Sequence, residues 1–210
     1  MSYLNDFRKR MNYSDAIIDS TKEQILEDFD NMPTFHNVLI NQSVQGVQII
    51  SDKFNQKTMI SKPDETFNIG DIVEWKDRKW LCVKTDIDDT MYTKGSLLLC
   101  NNTITVNNNT YPVVIENYIS RNQEVEYRRF TVLSDDTRYL YIPYNDDTKN
   151  IKHLDRFVFN DEAYKINVLD KISDVIDGNG VIHALVRNVG LTAEEKPKDG
   201  NVEEEKGNWW

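Results

Sequence analysis

From residue 37 to about residue 191, apolar and β-branched runs of four to eight residues alternate with clusters of Asn, Asp, Gly and Lys. That alternation is the signature of strands separated by turns. It predicts strands at Val38–Asn41, Val47–Ile50, Lys57–Ser61, Ile72–Trp75, Lys79–Lys84, Ser96–Cys100, Thr103–Val106 and Tyr111–Glu116. Beyond them it predicts Tyr127–Leu133, Arg138–Pro143, Arg156–Phe159, Ala163–Val168 and Val181–Val189. Asn107-Asn108-Asn109 and Asp177-Gly178-Asn179-Gly180 read as tight turns, because Asn, Asp and Gly tolerate positive φ. The period is different before residue 37. Tyr3, Leu4, Phe7 and Met11 fall at helical spacing, and Ser14 or Asp15 is placed to cap a second helix carrying Ile18, Ile25, Leu26 and Phe29. Met32-Pro33 stops it, since proline cannot donate to the helical ladder. From Thr192 on, Glu, Lys, Gly and Asn dominate without apolar periodicity, a composition expected to be disordered.

The strand region repeats itself. Ile60–Ile69 and Ile142–Ile151 share Ile, Asp, Thr, Asn and Ile in step at an offset of 82, and Asp71–Cys82 parallels Asp155–Ile166 at an offset of 84. The difference implies a two-residue insertion, which the alignment places at Lys152-His153-Leu154 against Gly70. In each copy Asp opens a strand, a polar turn centred on Asp77 or Asp161 returns the chain, and aromatics flank the turn (Trp75 and Trp80; Phe159 and Tyr164). Such cross-strand aromatic pairs add roughly 0.2–1 kcal/mol to a hairpin. The expected fold is therefore mainly β: an antiparallel β-barrel or sandwich with an internal strand–turn–strand duplication, preceded by two N-terminal helices. Two small barrels, two sandwich halves, one pseudo-symmetric domain, or an irregular β fold with one recurrent hairpin all satisfy the repeat. The expected organisation is a helical segment over 1–36, β units over 37–120 and 121–191, and an acidic tail over 192–210.

Composition narrows the function. Hydrophobic residues make up 39% of the 210, enough for a real core, while 25 Lys and Arg against 35 Asp and Glu leave a net charge of −10. An acidic surface disfavours sequence-independent nucleic-acid binding, which rests on cations neutralising phosphates. Met1–Phe7 lacks the apolar stretch of a secretory signal, and no run approaches the ~18 apolar residues of a membrane span, so cytoplasmic synthesis is expected. Cys82 and Cys100 each sit in an apolar run and read as buried free thiols, although strands could bring them together as a disulfide. His36, His153 and His183 have no metal-ligand spacing to one another or to cysteine. The chain has no nucleophile elbow, phosphate loop or dinucleotide fingerprint. Asp174, Asp177 and Asn179 share some of a calcium loop's spacing but lack its full pattern and distal Glu, and read as a solvated turn. No catalytic residue, cofactor or metal is therefore expected. Partner contacts are expected instead at Tyr3, Phe7 and Met11, and at Trp209 and Trp210, since buried aromatics dominate interface energetics.

Met1–Met11, Phe67–Trp75, Trp80-Leu81, and Cys100-Asn101-Asn102 with Tyr111-Pro112-Val113 resemble the neck, or head–tail connector, proteins of tailed bacteriophages infecting Gram-positive bacteria. The resemblance spans most of residues 1–190. It implies a β-barrel head-completion or stopper protein that forms a homo-oligomeric ring beneath the portal and meets portal or adaptor and tail proteins. Genome DNA would pass through without specific binding, and no membrane or small-molecule substrate is involved. Assembly would take place in the host cytoplasm and the product would sit in the virion neck. Members of that family tend to carry Cys after the Tyr-Pro pair. This chain has Val113 there, so no cysteine pairing is carried over. A tail-terminator, tail-tube or baseplate component is the second reading, and a β-scaffold enzyme with a dispersed acidic site is the third.

Overall fold

A computed structural model describes residues 3–86, 91–117 and 136–192, with the backbone alone over 3–15. The expected strand at Tyr127–Leu133 and the expected disordered tail from residue 193 on lie outside the described residues. One helix, α1 (Tyr3–Phe29), replaces the two helices expected at the N-terminus. Ser14 and Asp15 cap a helix only where the chain bends away before them. With no Gly or Pro nearby, keeping them in the helix interior costs at most about 0.7 kcal/mol each. After Met32-Pro33, thirteen strands follow among the described residues: β1 (Phe35–Ile40), β2 (Ser43–Lys53), β3 (Gln56–Ser61), β4 (Ile72–Trp75), β5 (Arg78–Asp86), β6 (Lys94–Leu99), β7 (Asn102–Val106), β8 (Asn109–Asn117), β9 (Thr137–Pro143), β10 (Arg156–Phe159), β11 (Glu162–Asp170), β12 (Val175–Ile176) and β13 (Asn179–Val189).

Strands β1 to β6 close into an antiparallel barrel in the order β1-β2-β3-β6-β5-β4. Closure comes from β1 pairing with β4, with Leu39 opposite Glu74 and Ile40 opposite Val73. Asn41 stitches the seam: its side-chain amide donates to Asp71 Oδ1 at 2.8 Å and its Oδ1 accepts from the Ile72 amide at 3.1 Å. The remaining strands form one sheet in the order β10-β11-β13-β9-β8-β7, with β12 paired to β13. Read from the other edge, this is the same order, with β7, β8, β9, β13, β11 and β10 standing for β1, β2, β3, β6, β5 and β4. The sheets thus divide the chain between Leu99 and Asn102, earlier than the boundary at 120 read from the sequence.

The duplication extends to single hydrogen bonds. Hairpins β4–β5 and β10–β11 have the same register, Trp75 facing Arg78 as Phe159 faces Glu162. Both turn through two residues in the left-handed region, Lys76-Asp77 (φ 50 and 58) and Asn160-Asp161 (φ 48 and 64), the geometry that matches strand twist in a two-residue hairpin. Asp71 Oδ2 accepts from the Asn68 amide and Asp155 Oδ2 from the Lys152 amide, each at 2.7 Å. The Cys82 amide donates to the Asp71 carbonyl as that of Ile166 donates to Asp155, each at 2.9 Å. The bulge between Cys82 and Lys84 recurs between Ile166 and Val168.

These matches correct the sequence alignment in two places. Asn68–Gly70 corresponds to Lys152–Leu154 without a gap. The extra residues lie earlier, in the loop holding the 3₁₀ turn Thr148–Asn150. The identity of Ile60 with Ile142 is accidental: Ile49 faces Met59 as Ile115 faces Leu140, so Met59 answers to Leu140. The interiors follow the same correspondence. Val38, Val47, Met59, Phe67, Trp80, Cys82 and Leu97 fill the first core. Ile104, Val113, Leu140, Ile151, Tyr164, Ile166 and Val186 fill the second.

The two units share a third cluster, in which Leu81 and Leu98 of the barrel pack with Val114, Tyr141 and Val181 of the second sheet. Gly70 (φ 93) sits at this junction, where a Cβ would come 2.1 Å from the Gly180 carbonyl oxygen. Its counterpart Leu154 adopts φ 76 with a side chain. Close approach between the units, rather than the backbone angle, is therefore what requires glycine at position 70.

Candidate functional site

A surface concavity lies on the first barrel, where β1 meets the β4–β5 turn. It is a groove of about 550 Å³ walled by Val38, Leu39, Val44, Trp75, Lys76 and Arg78, with Glu74, Asp77 and Lys79 along it. Leu39 and Val44 face each other across the β1–β2 hairpin, and Val44 is 72% exposed. Strand alternation explains this: Val38 and Ile40 point into the core, so Leu39 must point out. Trp75 forms the floor, with its ring centroid 5.1 Å from His36 and 6.0 Å from Trp80. The Lys76 ammonium lies 4.6 Å from the Trp75 centroid, and Arg78 lies 5.8 Å from the ring of Phe54, itself 77% exposed. Partial burial, and then the Lys76 charge, hold His36 below its ordinary pKa. Lys79 pairs with Glu74 at 3.3 Å. The groove thus offers apolar side chains, an aromatic floor and cations held over π faces, a combination suited to binding an apolar and anionic segment.

Several acidic side chains elsewhere are engaged by neighbouring polar groups. Asp147 accepts from the Tyr111 hydroxyl, from Asn109 Nδ2 at 2.7 Å and from Asn107 Nδ2 at 3.2 Å. Asp146 pairs with Lys149 at 2.6 Å. Asp170 receives the Ser173 hydroxyl and the Ile172 and Ser173 amides, which hold it down to about 2. His183 Nε2 lies 2.7 Å from Asp174 Oδ2, at ion-pair distance without hydrogen-bond alignment, and its ring meets Tyr141 edge-on at 5.0 Å. Cys82 and Cys100 are free thiols, and burial pushes both up to about 12. Among the described residues no three His, Cys, Asp or Glu side chains gather as metal ligands, and no helix is long and apolar enough to cross a membrane.

Of the expected contact residues, Tyr3, Phe7 and Met11 lie on α1, in its stretch of described backbone, and Trp209 and Trp210 lie outside the described residues. The later turns of α1 stand largely clear of the β units. From Ala16 to Asp28 every residue is exposed or half-buried, and Phe29 is the first to be buried. Sequence reading missed the groove. Its signal was the pair of exposed apolar residues, Leu39 and Val44, on either side of a two-residue turn that was not anticipated.

Residues 100–185 match the family model of the YomX C-terminal domain, a phage-associated domain family. The match covers less than half of the chain and coincides with the second unit, from just before β7 into β13. No curated protein and no solved structure matches the chain. The second unit is thus similar to a phage-associated domain, and the first unit repeats its strand order without matching the model.

Proposed function

We propose that this chain is a structural protein of a tailed-phage virion, a subunit of the head–tail connector that assembles into a ring and bridges portal to tail. The observation that carries this reading is the coincidence of the phage-associated domain match with one strand-order unit, up to the middle of β13. Two further features support an assembly role. Among the described side chains of helix α1, from Ala16 on, only Phe29 is buried, and Tyr3, Phe7 and Met11 follow one another along the helix at helical spacing. The groove adds a second contact surface. In this reading the chain turns over no substrate and needs no cofactor. Its partners are further copies of itself and the portal or adaptor and tail proteins, and its net charge of −10 lets DNA pass without adhering.

The test is removal of the gene from the phage that carries it. The expected outcome is a lysate with separate heads and tails and no joined particles, restored by the gene in trans. Cryo-EM of wild-type particles should place the chain as a ring at the neck. Absence of the chain from purified virions sinks the reading, and density confined to the tail tube or baseplate replaces it with a tail component.

A further inference from the structure

The duplication provides an internal comparison, because the groove's residues have positional counterparts in the second unit. There Leu39 and Val44 are answered by Thr105 and Thr110, and Lys76, Arg78 and Lys79 by Asn160, Glu162 and Ala163. One fold position is thus apolar and basic in the first unit and polar and acidic in the second. Folding does not require the apolar and basic version, since the second unit forms the same hairpins without it. Leu39 and Val44 face each other with Val44 72% accessible, an exposed apolar pair that is unfavourable on a surface unless something covers it.

We propose that the groove binds residues 203–210 of this same chain. That segment reads Glu203-Glu204-Glu205-Lys206-Gly207-Asn208-Trp209-Trp210. It pairs three consecutive carboxylates with two adjacent indoles, the complement of Lys76 and Arg78 beside Leu39, Val44 and Trp75. Tryptophan is the residue best suited to an apolar cleft rimmed by cations, and Arg and Lys pair with π faces as well as with carboxylates. Reach is adequate. Residues 193–208 separate the last described residue from the tryptophans, and fully extended they span up to roughly 55 Å. A tethered segment meets its site at an effective concentration of about a millimolar, so even weak contacts keep the groove occupied. The consequence is a self-covered surface that a competing partner segment of similar chemistry could displace. None of this depends on the connector assignment.

Amide NMR of the full chain tests the proposal. Trp209→Ala/Trp210→Ala is expected to shift the resonances of Leu39, Val44 and Trp75–Lys79 while leaving Thr105, Thr110 and Asn160–Ala163 in place. Val44→Asp/Arg78→Glu should move the Trp209 and Trp210 indole resonances to their positions in a free peptide of residues 198–210. Both effects should persist on dilution. Groove resonances that ignore the tail substitution overturn the proposal, as do equal shifts in the second unit's turn. Loss of the effect on dilution also overturns it, because the occupant would then belong to a neighbouring copy. The tail substitutions lie outside both folded units, so the test stands even if the groove variant fails to fold.

Discussion

Asp147 shows how one side chain fastens a loop. Hydrogen bonds from Tyr111, Asn109 and Asn107, in that order of weight, hold its carboxyl below the ordinary carboxylate range, and the same contact pushes the Tyr111 phenol up. A carboxylate whose folded pKa is lowered adds stability above its unfolded value, about 3.9, and that stability fades as pH falls through the folded pKa. Asp147→Ala should therefore lower the melting temperature at neutral pH. The gap from wild type should close as pH drops below about 4, as thermal melts across a pH series would show. Gly70 and Gly178 form a second residue-scale comparison. Their φ angles are alike at 93 and 83, but a Cβ on Gly178 meets nothing within 4 Å. Gly178→Ala should cost only the left-handed penalty of about 1–2 kcal/mol. Gly70→Ala must also push the Gly180 backbone away and should cost clearly more, measured by urea unfolding.

Helix α1 is fastened at its C-terminal end. Phe29 packs edge-on against Phe35 at 6.1 Å, and the Lys62 ammonium lies over both rings while pairing with Asp30 at 2.7 Å. Lys22 reaches Asp64, which is largely exposed, and an exposed pair contributes at most about 1 kcal/mol. Phe29→Ala should thus cost about 3 kcal/mol of docking energy and raise hydrogen exchange over residues 18–30. Lys22→Ala should leave that exchange nearly unchanged. The helix itself was legible from apolar spacing. Its continuity was not, because a serine or aspartate looks the same as a cap and as an interior residue until the chain path is known.

At the scale of the molecule, the shared cluster of Leu81, Leu98, Val114, Tyr141 and Val181 makes two units behave as one. Wild-type protein should melt in a single calorimetric transition. Leu98→Glu places a charge in that apolar junction, where burying it unpaired is costly, and should split the transition in two. Core substitution within one unit, such as Ile182→Ala, should instead destabilise the whole by about 2–5 kcal/mol without splitting it. The near-repeat seen along the chain pointed to this architecture. It reported one hairpin of each unit, because the β4–β5 and β10–β11 turns kept their polar residues while the other strands kept only apolar character. The candidate site was less visible still. Leu39, Val44, Trp75, Lys76 and Arg78 come from two hairpins, and only their comparison with Thr105, Thr110, Asn160 and Glu162 marks them as special.

Strands and their turns were readable in the chain itself, because alternation and positive-φ residues such as Asn107, Asn108 and Asp177 act over a few neighbouring positions. Pairings between distant strands were not. Whether β3 lies beside β6 and β9 beside β13 depends on which closure buries both apolar faces, a balance struck over the whole molecule. The same holds for Ile60 and Ile142, matched in sequence but set on different faces, since a one-residue shift in register reverses every side chain. It holds too for Gly70, whose need for glycine comes from a carbonyl 110 positions away, at Gly180. Local chemistry chose the hairpins; the packing of one unit on the other decided the barrel, the junction and the groove.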